Sequence, residues 1–405
     1  MRIGIDISTV LNHGKDVGAG RYIINLVKNL LETDTENTYV LTGRYTTDEN
    51  LHLIRELDHA RTARPEQLEL KLFRTTVKKL ALWDKFGFPP LEMLGFKADI
   101  LHCPDYLIPP TFNKKIILTI HDLAFIRFPH FNFDWFIKKY KKLVKKNSLL
   151  SKRVIADSNS TRNDIIQFFG TKENKIGVVH LAAEEIFRKL DASELDKEIL
   201  PKFKITKKYI LSVGTIEPRK NYATLIKAYN LFKLKYLSSG FKTGSPSMGS
   251  GSDLKNKDYQ LVIVGRTGWL SEEAFAEYEK SPYKEDIIFV GRISDIELVQ
   301  IYNHAELFVY PSVFEGFGLP VLEALQCGLV SLASNTSSIP ELIHDRHLLF
   351  NPADEAEIAA KIAEFLNKDN LKTELSQNAL NNASRFSWKK TAKKTLDIYR
   401  DTIRE

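Results

Sequence analysis

Two glutamates, Glu315 and Glu323, stand eight residues apart and bracket the run Gly316-Phe317-Gly318-Leu319-Pro320. The segment before them, Glu306-Leu307-Phe308-Val309-Tyr310-Pro311-Ser312, has the apolar continuity of a buried strand. Strand, glycine turn and helix start together make an anion site, because the first N–H groups of a helix have no intrahelical partner and carry partial positive charge. Glu315, in the turn, can reach sugar hydroxyls. Glu323 sits on the helix among Leu322, Ala324 and Leu325, where a carboxylate needs a polar partner; ribose hydroxyls would serve. A ligand offering both phosphate and hydroxyls is a nucleotide sugar.

These residues need a frame. Short apolar runs alternate with helical segments along the whole chain, the pattern of parallel sheets covered on both faces. Strands are expected at Arg2–Ile7, Thr38–Thr42, Glu69–Phe73, Asp99–His102, Lys115–Ile120, Arg153–Asp157 and Ile176–His180. A second series is expected at Tyr209–Val213, Gln260–Val264, Ile287–Val290, Leu307–Tyr310 and Leu329–Ala333. A chain of 405 residues accommodates two domains. The expected division gives residues 1–185 and a final amphipathic helix, 386–405, to the first, and 186–385 to the second. Glu184 to Lys208, charged and poor in strand character, is the candidate linker. Ser238 to Asp258, rich in Gly and Ser, is expected to be a mobile surface loop.

In open parallel α/β sheets, ligands bind beyond the carboxyl ends of the strands. After the first strand, Gly18 and Gly20 precede a helix expected from about Tyr22 and allow close backbone approach to an anion. His121-Asp122 follows the fifth strand; the imidazole can hydrogen-bond a sugar hydroxyl, with Asp122 placed to orient it. Gly214-Thr215-Ile216-Glu217-Pro218-Arg219-Lys220-Asn221 opens the second series. Arg219 and Lys220 at a helix start oppose the macrodipole, and a bound diphosphate would explain them. Gly265 to Trp269, and Arg292-Ile293, follow two further strands and are candidate walls of a base pocket. Ser294-x-x-Glu297 beside them reads as a capping box.

The net charge is +7 and the isoelectric point about 9.0. Much of the positive charge lies in Trp135 to Lys146, one helix on which Phe136, Tyr140, Leu143 and Val144 share a face beside the lysines Lys138 to Lys146. That helix either meets anionic lipid or turns its apolar stripe into the core; no nucleic-acid-binding motif accompanies it. Two cysteines, Cys103 and Cys327, are too few for a disulfide framework and suit a reducing compartment. No run approaches the roughly 20 apolar residues of a membrane span, and Met1-Arg2-Ile3-Gly4-Ile5-Asp6 is a strand with an acid rather than a signal peptide. A cytoplasmic protein is expected, peripheral at the inner face of the membrane if the basic helix docks there.

Taken in order, the glycine loop, His121-Asp122, Gly214 to Asn221, Gly291 to Ile293, the Glu-x7-Glu segment and the final helix resemble retaining glycosyltransferases of family 4 with the GT-B fold. The resemblance spans nearly the whole chain. It implies two Rossmann-like, doubly wound α/β domains facing a cleft, the first for the acceptor and the second for the nucleotide sugar, with the last helix crossing back to the first. By position, it implies that Glu315 and Gly316 with the backbone of Phe317, Gly318 and Leu319 hold the donor sugar and β-phosphate. Glu323 would take the ribose, Lys220 the phosphate, and His121 a place near the transferring sugar. The chain departs from the family where Arg commonly follows the strand glycine: Thr215 stands there, with Arg219 as the candidate replacement. The form Glu-Pro-Arg-Lys-Asn looks like a subgroup building O-antigen and capsule chains, often with mannose.

The expected reaction moves a hexose, first mannose from GDP-mannose, to a hydroxyl of a glycan or lipid-linked acceptor, with no cofactor. A UDP-hexose donor is the alternative. No Asp-x-Asp pair occurs, so no metal clamp is expected. A glycosidase would also use two carboxylates but needs no diphosphate site. A dinucleotide oxidoreductase would need the third glycine that the first loop lacks. A non-catalytic basic binding protein would need neither Glu315 nor His121.

Overall fold

Parallel strands buried on both faces require contiguous apolar residues, and every residue of Ile116–Ile120 and Tyr259–Val264 is indeed buried. The computed structural model describes residues 1–55, 57, 65–238, 258–368 and 371–404. It divides into two units, one of Met1–Ala182 with Phe386–Glu405, the other of Ala183–Arg385. Most of the Gly/Ser-rich loop, residues 239–257, lies outside the described residues.

The first unit contains β1 (Arg2–Asp6), β2 (Thr38–Tyr45), β3 (Leu68–Arg74), β4 (Ile100–Cys103), β5 (Ile116–Ile120), β6 (Arg153–Ala156) and β7 (Ile176–Val178). They form one sheet, β3-β2-β1-β4-β5-β6-β7, with every pair parallel. The second contains β8 (Lys208–Val213), β9 (Tyr259–Val264), β10 (Ile287–Gly291), β11 (Leu307–Tyr310), β12 (Ser331–Ser334) and β13 (Leu349–Phe350), ordered β10-β9-β8-β11-β12-β13 and again parallel throughout. Strand order reverses between β1 and β4 and between β8 and β11, the crevices where such sheets receive ligands. Each expected strand is present, its ends shifted by three residues at most. β13 was not expected, being too short to register as an apolar run.

The final helix, Trp388–Arg404, belongs to the first unit. Its buried residues Trp388, Thr391, Ala392, Thr395, Leu396, Tyr399 and Thr402 follow a 3.6-residue period. It is pinned by Tyr399, whose hydroxyl meets His102 Nδ1 at 2.7 Å, and by Thr391, whose hydroxyl donates to the His180 carbonyl. On helix Asp134–Leu150, Val144 is buried, and Phe136 and Tyr140 pack against the core beside Phe125 and Tyr106. The apolar stripe therefore faces the protein, while Lys138, Lys139, Lys141, Lys142, Lys145 and Lys146 are exposed. Among the described residues, no helix is long and apolar enough to cross a membrane.

The candidate linker proves to be part of the second unit. Phe187 is fully buried, edge-on to Tyr302, and Ile199 and Ile205 are buried too. The Leu190 N–H donates to Asn303 Oδ1 at 2.8 Å. Its anchors are too widely spaced to form a periodic pattern, which is why the segment reads as a connection.

Candidate active site

The loops after β8 and β11 meet at the second sheet's crossover. Glu217 and Pro218 start a tight turn, Pro218–Lys220, in which proline occupies a position that needs no N–H. Asn221 closes it in the left-handed region, which Asn tolerates. The Val313 N–H donates to the Arg219 carbonyl at 2.9 Å, and the Asn221 amide donates to the carbonyls of Pro311 and Pro352. Arg219 and Lys220 are thereby brought against Glu315.

The Glu315 carboxylate is saturated. Its Oε1 accepts from Lys220 Nζ (2.7 Å), Tyr310 Oη (2.9 Å) and Ser312 Oγ (2.5 Å). Its Oε2 accepts from Arg219 Nη1 (2.6 Å). Tyr310 Oη also accepts from Lys220 Nζ at 2.5 Å. Arg219 donates further to Glu217 Oε1 and to the Phe314 carbonyl. Glu315, Lys220 and Tyr310 are all buried. Burial works against the charge on Glu315, but Arg219 and Lys220, with the Lys220 and Ser312 hydrogen bonds, pull its pKa down to about 2. Burial and neighbouring Arg219 lower the pKa of Lys220, with Glu315 and Glu217 opposing. A bound diphosphate is expected to explain two cations at this helix start; within the protein, Glu315 and Glu217 also supply them with counter-charge.

Helix Leu319–Gln326 begins at Gly318, whose φ of 107° disfavours any side chain and whose Cβ would lie 2.7 Å from Ile339 Cδ1. Among the described residues no acceptor takes the N–H of Gly318 or Leu319. Ser338 Oγ bonds the carbonyls of Glu315 and Phe317, and Ser337 Oγ accepts the Glu315 N–H, fixing the turn around Gly316. Glu323, the fifth helical residue, is buried and accepts from Tyr302 Oη at 3.0 Å.

Thr215 stays in the β8 loop, half-buried. Gly265 packs against the Gly214 carbonyl, so close that a Cβ would lie 2.0 Å from it. Backbone approach by itself requires glycine there. Arg292 is exposed and Ile293 half-buried at the carboxyl end of β10, and the Ser294–Glu297 capping box forms in full.

The remaining candidates lie in the first unit. Helix Gly18–Thr33 starts four residues earlier than expected; Gly18 is its first residue, and Gly20 is required because a Cβ would meet the Gly14 carbonyl at 1.9 Å. Gly18 and Gly20 therefore belong to a different unit from Thr215, Arg219, Lys220 and Gly318. His121 follows β5, but Asp122 does not orient it. Asp122 Oδ1 accepts the Ala124 N–H, and the partner of His121 Nδ1 is Asp157 Oδ2 at 2.7 Å, after β6. His121 Nε2 donates to the Pro104 carbonyl at 3.1 Å, and Tyr22 lies edge-on to the ring. Burial disfavours the charged ring, but Asp157, Asp105 and the Pro104 carbonyl outweigh it and hold the pKa at about 9. Sequence reasoning misses Tyr310, Ser312 and Asp157; their common signal is position, a polar residue closing or just following a strand.

Residues 17–183 match the model of Glycosyltransferase Family 4, and residues 196–382 that of Glycosyl transferases group 1. O-antigen chain mannosyltransferase B of Escherichia coli is 26% identical over 393 residues, 95% of this chain and 96% of its own. The serotype-specific mannosyltransferase WbdA of Escherichia coli is 28% identical over 288 residues, 69% of this chain but 32% of WbdA. HepE of Anabaena, solved in complex with UDP-glucose, has a TM-score of 0.71 at 16% identity, covering 99% of this chain and 100% of that one. WaaG, a glycosyltransferase involved in lipopolysaccharide biosynthesis, gives 0.66 at 14% identity, covering 98% and 99%. With both family domains in order along two parallel-sheet units, the chain belongs to the family 4 glycosyltransferases of the GT-B fold.

Proposed function

We propose that this glycosyltransferase moves mannose from GDP-mannose to a hydroxyl of a glycan or lipid-linked acceptor in cell-surface polysaccharide synthesis, with retention of configuration and without a metal. The observation that carries the reading is the meeting of Lys220 and Arg219 on Glu315 at the β8/β11 crossover, three residues before the helix start at Gly318. A departing nucleoside diphosphate gains negative charge as the sugar flattens towards an oxocarbenium ion. Preorganised cations and helix N–H groups stabilise that charge without a divalent ion.

On donor binding, the diphosphate takes the place of Glu315 on the two cations, and the released carboxylate receives sugar hydroxyls. Glu323 takes the ribose, and Arg292, Ile293 and the Gly265 loop flank the base. The doubly hydrogen-bonded His121 serves the first unit's side of the reaction, where the acceptor binds. Mannose rests on the mannosyltransferases among the relatives, and GDP on the resemblance to the subgroup that builds O-antigen and capsule chains. The exposed Lys138 to Lys146 face supports a cytoplasmic protein held electrostatically at the inner membrane surface.

A thermal-shift screen with GDP, UDP, GDP-mannose and UDP-glucose tests the donor, because a ligand that binds only the folded state raises Tm. GDP-mannose should give the largest shift, and Lys220→Ala should reduce it, since a charge-assisted contact is worth roughly 1.5–3 kcal/mol. A larger shift with UDP-glucose would overturn the donor assignment. Full loss of transfer in EDTA, restored by Mg²⁺, would overturn metal independence.

A further inference from the structure

A cavity of about 330 Å³ lies in the second unit, lined by the end of helix Leu319–Gln326, by helix Lys372–Ala383 and by the loop before β13. Ser331 in its wall opens β12, and Leu348 immediately precedes β13. The cavity is therefore at the amino ends of the strands. Glu315 lies beyond their carboxyl ends, where Tyr310 closes β11. The volume is at the small end of ligand cavities, which run from roughly 300 to 1,000 Å³.

Leu375, Asn378, Ala379 and Asn382 follow the i, i+3, i+4, i+7 spacing of one helix face, with Asn381 at its edge, and all five line the cavity. A face that only packed on a core would be apolar throughout. This one carries three amides within five residues, although Asn is a poor helix former. Among the described residues, no protein group bonds the side-chain amides of Asn378 and Asn382. Asn381 Oδ1 accepts from Gln377 Nε2 at 3.1 Å. The loop adds His344 and Asp345. Arg385 fixes it, donating from Nη1 to His344 Nε2 and from Nη2 to the Leu342 carbonyl, each at 2.6 Å. Leu325, Val330 and Leu348 supply apolar wall.

This lining selects its ligand. Among the described residues, no lysine or arginine lines the cavity, so nothing there neutralises a phosphate or a carboxylate. No Phe, Tyr or Trp lines it either, so a nucleobase has no ring to stack on. Side-chain amides both donate and accept, as hydroxyls do, and the Asp345 carboxylate accepts. The leucines suit the C–H face of a pyranose. We propose that the cavity binds an uncharged hexose residue of the glycan that the enzyme extends, apart from the site of transfer. That the hexose is mannose rests on the proposed function; the selection of an uncharged sugar rests on the cavity alone. A glycan held there stays at high effective concentration between transfers.

The test is NMR of the full chain labelled with ¹⁵N-asparagine, which reads this site separately from any acceptor site. Methyl α-mannoside should shift the side-chain amide signals of Asn378, Asn381 and Asn382, each identified by its loss on substitution with Ala. In Asn378→Ala with Asn382→Ala, the Asn381 signal should report an affinity lower by roughly fivefold or more, since two hydrogen bonds are removed. Ala379→Leu, which fills the cavity, should abolish the shifts. The double variant should keep the wild-type Tm or exceed it, alanine being the better helix former, and should keep the transfer rate to a short soluble acceptor. The proposal fails if saturating methyl α-mannoside leaves the three signals in place while mannose is transferred from GDP-mannose, an outcome that leaves the proposed function standing. It fails if inorganic phosphate shifts the signals and the mannoside does not. It also fails if the double variant melts well below the wild type, which would make the amides structural. Should transfer use UDP-glucose instead, the donor reading falls, and the same titration with methyl α-glucoside decides the cavity.

Discussion

Arg219 and Glu315 bridge the two loops of the second sheet's crossover, Nη1 to Oε2 at 2.6 Å, while Lys220 Nζ holds the other carboxylate oxygen at 2.7 Å. Without ligand, the two cations assigned to the diphosphate are therefore already neutralised from within the protein. Donor binding is then an exchange of one anion for another.

The exchange makes a prediction that simple sugar recognition by Glu315 does not. Glu315→Gln leaves buried Lys220 and half-buried Arg219 short of counter-charge, and breaking a buried pair costs about 3–5 kcal/mol, so the ligand-free variant should melt lower than the wild type. GDP restores the missing charge. Its affinity for the variant should rise, and the Tm increase at a fixed GDP concentration should exceed that of the wild type. Titration calorimetry with GDP decides: affinity equal to or below wild type would mean that diphosphate and Glu315 do not share these cations.

Strand positions are legible in the sequence because a strand covered on both faces must be apolar throughout, and the crossover sites follow from strand order alone. What the sequence hides is which side chains meet. Asp122 adjoins His121, yet neighbouring side chains leave an extended backbone on opposite sides, and the partner is Asp157, at the end of the adjoining strand β6. Likewise Lys220 and Glu315 are 95 residues apart, and nothing local in either loop announces their contact. The segment from Glu184 to Lys208 reads as a linker because Phe187, Ile199 and Ile205 follow neither a 2.0 nor a 3.6 period, although all three are buried.

Tyr310 ends β11 with its hydroxyl between Lys220 and Glu315, accepting from one and donating to the other. Tyr310→Phe deprives two buried charged groups of a partner, each at about 1–3 kcal/mol. Lys220 loses an acceptor that favours the ammonium form, so its already lowered pKa should fall further. Because the charged lysine binds the diphosphate, the alkaline limb of kcat/KM for the donor should move to lower pH. A limb that stays in place while kcat/KM drops would reduce Tyr310 to a packing role.

His121 donates from both ring nitrogens, to a carboxylate and to a carbonyl that cannot donate in return, so the ring carries two protons. Its folded pKa of about 9 lies above the ordinary 6.5. The stabilisation is thus complete below pH 6.5 and is lost as pH rises through 9, up to about 3 kcal/mol in all. Asp157→Asn should lower Tm near neutral pH and flatten this decline. Melting curves of both proteins across that window provide the measurement; parallel curves would show that Asp157 does not hold the imidazolium.

Glu323 and Tyr302 offer the sharpest separation of roles. Tyr302 Oη holds Glu323 Oε2 at 3.0 Å, which aims the carboxylate without involving the cations at Arg219 and Lys220. If Glu323 binds the ribose, Glu323→Gln should weaken GDP and GMP by the same factor, roughly 10- to 150-fold for a hydrogen bond to a charged group. Ribose does not change during transfer, so donor KM should rise while kcat holds nearly constant. Lys220→Ala should behave differently, weakening GDP far more than GMP because GMP lacks the β-phosphate. Calorimetry of the two nucleotides on the two variants gives four ratios to compare. A Glu323→Gln protein that discriminates between GDP and GMP would assign that carboxylate to the phosphate side, and Tyr302→Phe, by loosening it, should then show the same discrimination at smaller amplitude.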